Sequence, residues 1–137
     1  MRKIIIASHN KLADGMKKTL EFISGPKKNC IALSAYVNNK PIEDEIAEII
    51  KKVPAEDELI IFTDMLAGSV NQKFFPYQER PHTHIISGMN LPIILAIVLS
   101  PENDYLTEDR VRQLITEARD QLVYVNDIKA EVSDDDE

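Results

Sequence analysis

The sequence predicts an α/β fold: an open, mainly parallel four-stranded sheet in the order 2-1-3-4, with helices on both faces. Continuous apolar runs such as "KIIIAS" and "ELIIFT" read as strands buried on both sides, as in parallel sheets. Between these runs, apolar residues recur at helical spacing. Proline and glycine punctuate the boundaries. Strand and helix in strict alternation give a parallel sheet covered on both faces.

The first strand is "KIIIAS". Leu12, Met16, Leu20 and Ile23 then mark the inner face of a helix that Gly25-Pro26 stops. "CIALSAYV" is the second strand. Pro41 suits a first helical turn, and Ile42, Ile46, Ile49, Ile50 and Val53 face inward before Pro54 ends the helix. "ELIIFTD" is the third strand and closes on a carboxylate. "VNQKFFPYQER" reads as a helix that Pro76 shortens or kinks. "THIISGM" is the fourth strand, and Asn90 caps a helix that is apolar on every side, so the sheet and a further element must cover it. Thr107 caps a fifth helix with Val111, Leu114, Ile115, Ala118 and Leu122 inward. "VYVNDI" reads as a weak final strand.

The 137 residues suit one domain, placed at 1–130, followed by a solvated acidic tail at 131–137. Hydrophobic residues make up 44% and aromatic residues 6%, so the core is aliphatic. A net charge of −7 argues against nucleic-acid binding, which depends on basic residues neutralising phosphates. The single cysteine, Cys30, excludes an internal disulfide and reads as an inert core thiol. No secretory leader is visible. The longest apolar run, Leu91 to Leu99, is far short of the roughly 20 residues that span a bilayer. A cytoplasmic protein with no direct membrane insertion is expected.

In parallel sheets of this order, sites form past the carboxyl ends of the strands where the strand order reverses. Here those are strands 1 and 3, and the residues just beyond them are His9 and Asp64. A carboxylate that takes one imidazole N–H fixes the tautomer and leaves the other nitrogen a lone pair. Such a ring suits a general base, a metal ligand or a phosphoryl acceptor. The plainer alternative is a hydrogen-bonded structural histidine and a helix-capping Asp64 or Ser69. Gly68 permits close backbone approach and Ser69 supplies a hydroxyl. His82 and His84 precede strand 4, so they belong at the opposite end of the sheet as solvated residues. No glycine-rich nucleotide motif or metal-ligand spacing appears, and no cofactor or metal is expected.

The blocks "IIIASHNKLADGMKKTLEFISG", "IIFTDMLAGSVNQ" and "IISGMNLPIILAI" resemble, in order and spacing, the enzyme IIA domain of the mannose/fructose/sorbose class of the bacterial sugar phosphotransferase system. The resemblance implies that His9 accepts a phosphoryl group, that Asp64 is its partner carboxylate, and that Asn10, Gly68 and Ser69 hold the phosphoryl oxygens. It implies as partners the histidine-containing phosphocarrier protein and a IIB domain of a sugar permease. It further implies a homodimer, with a fifth, antiparallel C-terminal strand exchanged between subunits. Where that family carries His-Gly and Gly-Gly-Ser-Pro, this chain has His9-Asn10 and Ala67-Gly68-Ser69-Val70. Three other readings fit the same residues. One is the phosphotransfer subunit of a dihydroxyacetone kinase. Another is a receiver-type module phosphorylated on Asp64, which would need an acidic pair in place of "SHN". The last is a Ser69-His9-Asp64 hydrolase, which lacks the G-x-S-x-G turn.

Overall fold

The computed structural model describes residues 1–129; the acidic tail expected at 131–137 lies outside the described residues. The chain runs β1 (Arg2–His9), α1 (Leu12–Ser24), β2 (Cys30–Ala35), α2 (Ile42–Lys51), β3 (Glu58–Thr63), α3 (Ser69–Phe74), β4 (Thr83–Ser87), α4 (Leu91–Val98) and α5 (Glu108–Arg119). The strands pair in parallel in the order β2-β1-β3-β4, as the sequence predicts.

Side chains alternate across a strand, so each apolar run feeds two cores. Ile4, Ile6, Ile60, Phe62 and Ile86 pack with α1, α4 and α5 on one face. Ile5, Ala7, Leu33, Leu59 and Ile61 pack with α2 and α3 on the other. All six residues of β3 are buried, which explains the apolar run from Leu59 to Phe62. The chain leaves β1 toward the α1 face and leaves β3 toward the opposite face. That divergence opens the crevice in which sites form in such sheets.

Local chemistry sets the helix ends. Asn90 Oδ1 accepts from the Ile93 N–H at 2.9 Å, and its amide donates to the Ala118 carbonyl, joining the start of α4 to the end of α5. Thr107 Oγ1 accepts from the Arg110 N–H. Three acids, Glu43, Asp44 and Glu45, occupy the first turn of α2, where they complement its dipole. Pro76 ends α3 as expected, and the chain continues as a 3₁₀ turn over Phe75–Glu79. The all-apolar α4 buries Ile93, Ile94 and Ile97 against the sheet, α1 and α5, while Leu91, Leu95 and Val98 stay partly exposed, so the expected all-round cover is incomplete in the single chain. Cys30 is buried, and desolvation raises its thiol pKa to about 11, consistent with an inert core residue.

Four expectations change. Leu12 and Ile23 are exposed, because α1 turns Ala13 and Leu20, with Met16 beside them, to the sheet. Leu122 lies past the end of α5 and is exposed. "VYVNDI" forms no strand in the single chain: Val125–Asp127 is a 3₁₀ turn with its apolar side chains exposed and no neighbouring ladder. His82 and His84 do lie at the amino end of β4, but neither is merely solvated. His82 stacks on Tyr105 with ring centroids 3.6 Å apart, and His84 Nε2 meets the Leu106 carbonyl at 3.1 Å.

Candidate functional site

His9 is the last residue of β1, and Asp64 is the first residue past β3. The parallel register sets Ala7 beside Thr63, so both chains reach the same edge of the sheet together. One oxygen of Asp64, Oδ2, accepts twice from His9: from the backbone N–H at 2.8 Å and from ring Nδ1 at 2.9 Å. The other oxygen accepts from the Met65 N–H at 3.0 Å. Asp64 is therefore no helix cap; it clamps one residue at backbone and side chain.

The electrostatics follow from those bonds. Burial alone would raise the Asp64 pKa, but the His9 backbone and ring donors, and the charge the ring can carry, hold it below its ordinary value. An ionised carboxylate only accepts, so Nδ1 must carry the ring hydrogen. Nε2 then presents its lone pair. The His9 side chain is 32% exposed against 9% for Asp64, so the ring remains partly open to solvent while the carboxylate behind it is covered.

Nε2 faces the start of α3. Ser69 Oγ lies 3.4 Å from it. Gly68 is needed here for space: its φ is −81°, which any residue adopts, but an added Cβ would sit 2.7 Å from His9 Cε1. Gly68 is the N-cap and Ser69 the first helical residue, so the Ser69 hydroxyl is turned to the site and caps nothing. The loop that carries both is pinned from below. Asn71 is buried, accepts from Thr63 Oγ1 at 2.8 Å and donates to the Leu66 carbonyl at 3.1 Å.

Asn10 stands beside the site by its backbone. Its φ is +54°, its N–H donates to the Ala35 carbonyl, and its own carbonyl accepts from Ser8 Oγ. Asparagine is among the few non-glycine residues that tolerate this left-handed conformation, which accounts for its place after His9. Val70 is fully buried in the α2–α3 core, whereas Ala67 is exposed.

Tyr36 joins the site and was not singled out by the sequence, which places it inside the second strand. The strand ends at Ala35, and Tyr36 takes φ +66°. This conformation costs an aromatic residue on the order of 1–3 kcal/mol. Its ring lies 5.7 Å from the His9 ring, and its hydroxyl is 2.6 Å from Ser69 Oγ. The available signal was the end of the apolar run at "YVNNK", a turn-rich stretch. Among the described residues, no group of His, Cys, Asp and Glu could hold a metal ion, and no helix is long and apolar enough to cross a membrane.

Known proteins share this arrangement of elements. A Klebsiella pneumoniae protein described as a phosphoenolpyruvate-dependent sugar phosphotransferase system permease is 36% identical, with a TM-score of 0.86 and 92% of each chain covered. Phosphotransferase system component EIIA from Streptococcus agalactiae has the same fold at 22% identity and TM-score 0.79, covering 93% of this chain and 100% of its own. The mannose/sorbose specific IIA subunit from Enterococcus faecalis has it at 16% identity and TM-score 0.77, covering 96% of this chain and 98% of its own. Residues 3–113, which hold His9, Asp64 and Ser69, match the EIIA-man family, described as the PTS system fructose IIA component. The chain belongs to that family and is a IIA component of the mannose/fructose class of the sugar phosphotransferase system.

Proposed function

We propose that His9 is the phosphoryl-carrying residue of this IIA component. Its Nε2 takes a phosphoryl group from the histidine-containing phosphocarrier protein in the cytoplasm and passes it to a IIB domain, for sugar uptake through a permease. The observation that supports this most is the pair of hydrogen bonds from His9 to Asp64 Oδ2, which fixes the ring and leaves Nε2 as its lone-pair nitrogen beside Ser69. In the accepting step, the Nε2 lone pair forms a P–N bond while the P–N bond of the donor phosphohistidine breaks. The electron pair returns to the donor imidazole, and no proton changes place. The phosphorylated ring keeps Nδ1–H and is cationic, so Asp64 stabilises it directly. Ser69, the first-turn amides of α3 and the side chain of Asn10 supply donors to the phosphoryl oxygens. Such transfer asks mainly for positioning and charge stabilisation.

Two surfaces fit the expected partners. Leu12, Tyr36, Val37, Met65 and Leu66 follow the strand ends around His9 and are exposed, an apolar rim suited to docking a carrier protein or IIB domain. β4 is an edge strand beside a groove of about 580 Å³ lined by Ile85, Ile86, Val111 and Ile115. The exposed 123–128 segment of a second subunit would pair there as the exchanged strand of a homodimer.

The test is incubation with phosphoenolpyruvate and the carrier system. Acid-labile label should appear on the wild-type protein, move to a IIB domain, and be absent from His9→Ala. Label retained on His9→Ala would refute the assignment. The order Ser69–His9–Asp64 is also that of an acyl-transfer triad, and a chromogenic ester distinguishes this second reading, since a hydrolase would turn it over without any carrier.

A further inference from the structure

We propose that Tyr36 is a positioning residue for phosphoryl transfer, its hydroxyl fixing the direction of the Ser69 O–H beside His9 Nε2. The inference rests on the phosphocarrier reading of His9. Three observations carry it: the 2.6 Å contact between Tyr36 and Ser69 hydroxyls, the 3.4 Å contact between Ser69 Oγ and Nε2, and the left-handed backbone at Tyr36.

The hydrogens can be counted. Nδ1 gives its hydrogen to Asp64, so Nε2 only accepts. Two contacts then remain, and two hydroxyl hydrogens serve them. If Ser69 donated to Tyr36, the contact at Nε2 would hold no hydrogen. Both contacts are satisfied only when Tyr36 donates to Ser69 and Ser69 donates toward Nε2. Tyr36 therefore occupies a Ser69 lone pair and turns the Ser69 hydrogen to the reacting edge. Once phosphorus occupies the Nε2 lone pair, that hydrogen is aimed at a phosphoryl oxygen, and the paired lone pair is kept from facing the anion. The backbone supports the assignment. Ala35 is the ladder partner of His9, so Tyr36 is the first residue past the site's own rung. Its strained φ is what swings the phenol from the end of β2 across to α3.

The test compares Tyr36→Phe, Ser69→Ala and the double variant for phosphoryl transfer from the charged carrier protein. Tyr36→Phe keeps the ring, so the thermal midpoint should not move. Its kcat should fall about threefold to tenfold, with KM for the carrier unchanged. In the Ser69→Ala background, Tyr36→Phe should have no further effect, a coupling that a merely structural tyrosine would not show. Wild-type rates in Tyr36→Phe, an effect confined to KM, or the same fold loss with and without Ser69 would each overturn the inference while leaving the role of His9 intact. A wild-type protein that takes no label from the carrier would overturn the phosphocarrier reading, and this inference with it.

Discussion

His9 and Asp64 stand 55 positions apart and meet because each is the residue at which a buried parallel strand gives out. Replacing Asp64 by Asn removes the charge that stabilises the phosphorylated ring, and should slow phosphoryl transfer about 10- to 100-fold in a carrier assay while the fold persists. The same carboxylate links stability to pH. Its pKa is lower in the folded chain than in the unfolded one, so its contribution is present above the unfolded value of about 3.9 and is lost as pH falls through the folded value. In urea unfolding, the wild type should therefore exceed Asp64→Asn at neutral pH, and the gap should narrow as pH drops below about 4. A gap that widens in acid would contradict this sign. At Gly68 the constraint is steric. Gly68→Ala puts a methyl 2.7 Å from His9 Cε1, so the imidazole must shift. A misplacement of about 1 Å is enough to cost roughly a hundredfold in rate, with little effect on the unfolding midpoint.

The elements themselves were legible wherever hydrophobic periodicity decides them. β1 and β3 carry unbroken apolar runs, from Ile4 to Ala7 and from Leu59 to Phe62, and α2 presents Ile42, Ile46 and Ile50 at strict helical spacing. His9 and Asp64 were legible for the same reason, since each marks the end of such a run. The Tyr36–Ser69 contact was not, because it depends on a loop residue and a helix start 33 positions apart closing on each other and on a backbone conformation that tyrosine does not announce. The exposed Leu12 and Ile23 show the limit of a spacing argument, since only one stripe of α1 reaches the sheet. The amino end of the sheet was equally hidden. Arg2 and Glu58 look like charged strand flanks, yet both are buried and paired. Arg2 also donates to the carbonyls of Ser100 and Pro101, and Glu58 accepts from the Leu106 N–H, so the pair fastens the α4–α5 connection under β1 and β3. Glu58→Ala would leave a buried guanidinium unpaired and should destabilise the protein by about 3–5 kcal/mol in urea unfolding, without changing the chemistry of His9 at the far end.

At the scale of the whole molecule, the sheet separates tasks. Its amino end is fastened by the Arg2–Glu58 pair, and its carboxyl end carries the His9 site, framed by exposed apolar side chains. The edge at β4 and the exposed segment 123–128 are what a strand-exchanged dimer would use. Sedimentation should give a dimer for the full chain, and a chain ending at Gln121 should shift toward monomer; a full-length monomer would contradict the exchange. Phosphoryl transfer through this site puts phosphorus on one particular nitrogen, which nitrogen-15 NMR of the carrier-phosphorylated protein reads out. Phosphorus should couple to Nε2 of His9, with the hydrogen kept on Nδ1. Phosphorus on Nδ1, or on any residue other than His9, would contradict it.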